Sequence, residues 1–213
     1  MATGALISFT LNILCAVVAL LTSYYAYKVN RLVSNQVVGA ISLGFMLLGV
    51  GLAVDAGTAL VSGQTLVESL HPRVIVLLAA ATYLTVQMVA YLVIAIGYAR
   101  AAYGSQPKAA VPAVLVGAAA VGLYRFSLLS YFVVLILLAF VVFQGLLLHS
   151  GQKSKFSTMV LLAFGLILVA HLVLLASVLT LEPLLFLIGT GIQFLGFLSL
   201  LIFVVRSEVV GPK

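Results

Sequence analysis

Apolar residues in this chain do not alternate with polar ones. They run in long blocks, broken by short polar stretches. Seven blocks stand out, roughly 5–27, 37–61, 74–99, 109–124, 126–148, 156–180 and 184–205. A helix rising 1.5 Å per residue needs about 20 apolar residues to cross a bilayer. The breaks between blocks are of the expected kind: "KVNRLVSN", "HPR", "YGSQPK", "HSGQKSK" and "EP". The fourth block, "AAVPAVLVGAAAVG", is short and rich in small residues that let neighbouring backbones approach. It reads as a helix packed inside a bundle. The pattern predicts an all-α integral membrane protein with seven transmembrane helices in one membrane domain, 1–213.

Composition agrees. The chain is 65% hydrophobic and 7% charged, where soluble domains carry about 25% charged residues. The single cysteine, Cys15, lies in an apolar block and excludes both an internal disulfide and a cysteine cage for a metal. No Lys or Arg precedes the first apolar block, so the start does not read as a cleaved signal peptide. The net charge of +6 comes from residues scattered singly or in pairs between blocks. That distribution suits anchoring at lipid headgroups and not nucleic acid.

Charge also predicts direction. With seven crossings, one side receives Lys28, Arg31, Arg100, Lys108, Lys153, Lys155, Arg206 and Lys213. The other receives Arg73 and Arg125, with Glu68 and Glu182. The excess of basic residues marks the cytoplasmic side, so the N-terminus is expected outside, the C-terminus inside, and the cell (plasma) membrane is the expected location. Tyr24, Tyr25, Tyr27, Tyr98 and Tyr103 fall near the inner ends, as an interfacial aromatic belt would.

Two blocks share a spacing. "QMVAYLVIAIGYAR" and "QFLGFLSLLIFVVR" each lead from Gln to Arg, Gln87 to Arg100 and Gln193 to Arg206, with Ala90-Tyr91 matched by Gly196-Phe197. Gly44-Phe45 and Phe164-Gly165 form a weaker pair. The expected plan is a 3+1+3 duplicated bundle: a first three-helix unit (1–104), a connecting helix (105–125) and a second three-helix unit (126–213). An odd connector keeps the units parallel. This layout resembles that of the SWEET sugar transporters and their vitamin-transporting relatives. It also resembles the seven-helix sensor modules of prokaryotic signalling kinases. The first resemblance implies solute transport, the second signalling through a partner. The hinge prolines of the transporters have no counterpart, because Pro72, Pro107, Pro183 and Pro212 lie outside the spans and Pro112 lies in the fourth.

Polar residues inside the blocks carry the candidate chemistry. Counting 1.5 Å per residue from the inner ends puts Asn12 and His171 at roughly 24 Å and Gln87 and Gln193 at roughly 20 Å. Asp55 stands higher, at roughly 30 Å, with Tyr83 just beyond the layer and Tyr91 just below it. Unpaired polar groups in hydrocarbon cost several kcal/mol, so these residues should face one another. Asn12, Asp55, Gln87, Tyr91, His171 and Gln193 are the candidate ligand-binding residues. Two readings remain open: interhelical hydrogen-bond glue, or the lining of a cavity.

Catalysis finds little support. Bis-His haem needs two histidines at one depth, and His71, His149 and His171 lie at three. Retinal needs a lysine in mid-membrane. Metal enzymes need clustered His, Asp and Glu, and the chain has four acidic residues in all. Ser177 and Ser199 read as span serines bonded back to their own helices. The expectation is a non-enzymatic protein with no cofactor: a subunit of a larger membrane complex, or a small sensor acting through a partner or as a homo-oligomer. The alternative is a small-solute transporter with its site in the outer half of the bundle.

Overall fold

A computed structural model describes residues 2–63, 72–103, 127–151 and 155–210. Among them are six helices and no strands: α1 (Ala2–Val33), α2 (Gln36–Gly63), α3 (Pro72–Tyr103), α4 (Ser127–Gly151), α5 (Lys155–Thr180) and α6 (Pro183–Val210). Each contains a stretch long and apolar enough to cross a membrane. The chain is a multi-pass helical membrane protein.

The expected count of seven is corrected to six among the described residues. The fourth span, 109–124, and the connecting helix, 105–125, lie outside the described residues. The physical signal for that span is also the poorest. Sixteen residues give roughly 24 Å of helix against a hydrocarbon core of about 30 Å. The other six blocks become helices, mostly longer than their apolar runs.

The helices close into a ring in chain order, with α3 against α4 and α6 against α1. Directions follow from shared neighbours. Tyr83 and Tyr131, early in α3 and α4, line one cavity, and Tyr98 and Gly145, late in the same helices, approach each other. Asn12 and Gln193 share that cavity, while Ala26 and Val29 of α1 meet Phe203 and Ser207 of α6 at the other end. Thus α1, α3, α4 and α6 run one way, and α2 and α5 return. This direction alone gathers Lys28, Arg31, Arg100 and Arg206 at one end. There Lys28 Nζ lies 5.1 Å from the Tyr24 ring centre, and the Arg31 guanidinium 5.5 Å from that of Tyr27. Basic heads over aromatic rings suit a membrane boundary.

Burial repeats along the chain. Cys15, Ala19, Phe45, Leu48 and Ala56 are buried, and so, at one constant spacing, are Val134, Leu138, Phe164, Ile167 and Leu175. The same spacing carries exposed Ile13, Val17 and Tyr24 onto exposed Phe132, Ile136 and Phe143. In α3 and α6 the Gln-to-Gln spacing matches buried Gln87, Tyr91 and Ile94 with buried Gln193, Phe197 and Leu200. At the first of these spacings Phe45 falls on Phe164 and Gly44 on Ala163.

Close packing explains that register. A Cβ on Gly44 would sit 2.9 Å from the Ala90 carbonyl oxygen. One on Gly196 would sit 3.3 Å from the Ala163 carbonyl oxygen. Each pair of neighbouring helices therefore meets through one glycine and one alanine, with the glycine on α2 in one case and on α6 in the other. Small residues at a crossing let backbones touch where the hydrophobic effect gives no drive. The core between them is aromatic: the Phe45 ring meets Phe197 at 5.2 Å and Phe164 at 6.4 Å, both edge to face.

Two turns show how helices stop. Ser34 adopts φ 51° and its N–H donates to the Asn30 carbonyl at 2.8 Å. Asn35 then caps α2, its Oδ1 accepting from the Val37 N–H at 2.9 Å. Leu181 adopts φ 57° in the turn before Pro183, which opens α6 as expected. Ser199 bonds back to Leu195 as expected, but Ser177 does not bond within its helix: its hydroxyl donates to the Glu182 carbonyl at 2.9 Å and ties the turn down.

Candidate functional site

The polar residues of five helices converge toward the end of the bundle where α1, α3, α4 and α6 begin. There Asn12, Asp55, Tyr83, Gln87, Tyr131, Leu174, Phe186, Thr190 and Gln193 surround a cavity of about 100 Å³. A water needs little more than a tenth of that space, so the cavity has room for several waters or one small solute. Four of the six candidate residues, Asn12, Asp55, Gln87 and Gln193, line it. His171 and Tyr91 do not; they form the layer beneath.

Asp55 is half-buried near the end of α2, and Asn12 Nδ2 donates to its Oδ2 at 3.2 Å. Asp55, counted from the sequence as the outermost of the layer's polar residues, lines the cavity. The Tyr83 hydroxyl lies beside the Gln193 amide. Gln193 is 2% exposed, and its Nε2 makes no well-formed hydrogen bond among the described residues.

Beneath the cavity His171 is fully buried. Its Nδ1 lies 2.8 Å from the Ile167 carbonyl, which can only accept, so Nδ1 carries the hydrogen. Nε2 is then the acceptor, and Gln87 Nε2 donates to it at 2.5 Å. The partners hold the imidazole neutral in one tautomer. Tyr91 packs edge to face on the ring at 5.5 Å, its hydroxyl buried beside Gln87 without a well-formed hydrogen bond. Next come Phe45, Phe164 and Phe197, between the cavity and the basic end.

The lining residues occupy matched positions. The constant spacing that aligns Phe45 with Phe164 also aligns Asn12 with Tyr131, Asp55 with Leu174 and Leu52 with His171; Gln87 is aligned with Gln193. Gln87 meets His171; the position matched to His171 holds Leu52, which has no acceptor to offer.

Tyr131, Thr190, Leu174 and Phe186 were missed as site residues. The first could have been found by applying the Phe45–Phe164 spacing to Asn12. Thr190 hides its hydroxyl in a bond to the Phe186 carbonyl at 2.9 Å, and Leu174 and Phe186 are typical lipid-facing residue types. Among the described residues no three His, Cys, Asp or Glu side chains converge on a metal position. Comparison with known proteins returns no matching family, no matching curated protein and no matching solved structure.

Proposed function

We propose that this protein carries a small polar solute across the membrane, binding it in the cavity between two parallel three-helix units. The observation behind this reading is the cavity itself. Polar groups that served only to glue helices would close on one another, as Gln87 and His171 do. Here Asn12 closes on Asp55, yet this pair, Tyr83, Gln87 and Gln193 still surround a cavity of about 100 Å³ that their side chains do not fill. Sites of this kind lie where repeated units meet. In this reading the basic end faces the cytoplasm of a plasma membrane, the cavity faces outward, and the aromatic layer is the closed inner gate. The protein is non-enzymatic and uses no cofactor. A subunit or sensor would need the polar residues satisfied, but has no need of the space.

Accessibility tests it. In a Cys15→Ala background, Thr190→Cys should react with a small hydrophilic thiol reagent added from outside and, in inverted vesicles, from inside as well. Ser154→Cys, expected on the basic side, should react from inside only and serves as the reference. Labelling of Thr190→Cys from neither side would sink the cavity reading. Labelling from outside alone would leave a receptor.

A further inference from the structure

The outer face of α1 ends differently from that of its matched helix, α4. On α1, Val17, Leu21, Tyr24, Lys28 and Arg31 follow one another at steps of three and four residues, so they form one stripe. Val17, Leu21, Tyr24 and Arg31 are exposed along it. The stripe passes from apolar to aromatic to basic as it nears the basic end. Its tip is pre-arranged. Lys28 Nζ lies 5.1 Å from the Tyr24 ring centre and 5.8 Å from that of Tyr25, and the two rings meet edge to face at 5.4 Å. The Arg31 guanidinium, 5.5 Å from the Tyr27 ring centre, offers the planar fork that suits a phosphate. Lys28 has a further interaction besides the rings, which an ammonium can keep while donating to another group.

The matched helix serves as an internal control. The spacing that carries Phe45 onto Phe164 carries Val17 onto Ile136, Leu21 onto Phe140 and Tyr24 onto Phe143. The apolar part of the stripe is thus repeated. Lys28 and Arg31, however, fall on Leu147 and Ser150. The fold makes this outward helix twice and the ring-backed basic tip once, so the tip is not a requirement of the fold. Its surroundings favour an anion: the described helices bring Lys28, Arg31, Arg100, Lys155 and Arg206 to this end, against one carboxylate residue, Glu208.

We infer that this face of α1 binds an anionic phospholipid. The phosphate sits at Arg31 and Lys28, and an acyl chain lies along Leu21 and Val17. The dimensions agree. From Arg31 to Val17 is roughly 21 Å of helix, and half a bilayer with its headgroups is about 20–22 Å. A zwitterionic headgroup would bring its own cation to the guanidinium and gain less. The inference stands apart from the cavity at the other end of the bundle.

The test is native mass spectrometry of the full chain released from nanodiscs that hold equal parts phosphatidylglycerol and phosphatidylcholine with the same acyl chains. The wild type should retain phosphatidylglycerol about ten-fold more than phosphatidylcholine, as two basic residues near the surface can supply. Lys28→Leu with Arg31→Ser, which installs the residues of α4, should cut that preference roughly five-fold or more. Excess inorganic phosphate should not displace the lipid, because it brings nothing to Leu21 and Val17. Equal retention of the two lipids by the wild type, or an unchanged preference in the double variant, would overturn the assignment. Displacement by inorganic phosphate would overturn the lipid as occupant and leave a free anion. Should the double variant fail to fold, Arg31→Gln at its exposed position reads the same preference. A fall of about three-fold is expected there, and no fall would again refute the site.

Discussion

Replacing His171 by Leu makes the buried layer answerable. Leu is close to imidazole in size and already stands at the matched position, Leu52, so the change opens no large cavity. What disappears is the bond from Gln87 Nε2 to His171 Nε2, with the back-bond to Ile167. Hydrogen bonds between membrane helices average about 0.6 kcal/mol and reach about 1.7. This one joins side chains that are 0% and 2% exposed, and the imidazole is held in one tautomer by its second bond. It therefore belongs in the upper half of that range, about 1–1.5 kcal/mol. The protein should still insert and fold. The measurement is a double-mutant cycle of His171→Leu with Gln87→Leu, read as unfolding free energy in bicelles. Gln87→Leu should cost clearly less in the His171→Leu background, where its amide is already orphaned. Costs that add to within about 0.3 kcal/mol would refute the pairing.

Two further perturbations probe the frame. Gly44→Val and Gly196→Val each force a side chain against a carbonyl and an isoleucine, Ile94 or Ile167, and should each cost about 1–3 kcal/mol in the same unfolding assay. Comparable costs at the two sites are expected; a neutral result at either would show that the helices do not touch there. Leu181→Gly relieves a left-handed turn residue that is 85% exposed and should stabilise by roughly 0.5–1 kcal/mol. A loss of stability would show that the leucine makes a membrane contact worth more than its strain.

Much of the frame could be read from residue order. Six long apolar runs became six helices, and their polar residues met, because lipid offers a buried amide or carboxylate no partner but another helix. The fourth run gave a weaker signal, since alanine, glycine and sixteen residues suit an interior helix and a loop equally. The match at Gly44-Phe45 and Phe164-Gly165 was weak for a related reason. Apolar helices resemble one another at many offsets, and the offset becomes plain when burial is added: Cys15 with Val134, Phe45 with Phe164, Ile13 with Phe132. The cavity was half legible. Asn12, Gln87 and Gln193 betrayed it by polarity, whereas Leu174 and Phe186 gave no sign, since their role depends on which way a helix is turned. His171 was expected among the ligand-binding residues; it lies outside the cavity lining, bonded to Gln87.

The mismatch between Leu52 and His171 has a consequence for whatever enters the cavity. Two identical units would offer a guest two equal poses, each the other turned half a revolution, and the guest would be free to take either. Here one wall carries Asp55 and Asn12 where the other carries Leu174 and Tyr131. Such a chamber has a front and a back. A molecule with two unlike ends enters it in one sense, and its reactive or charged end always points to the same helix.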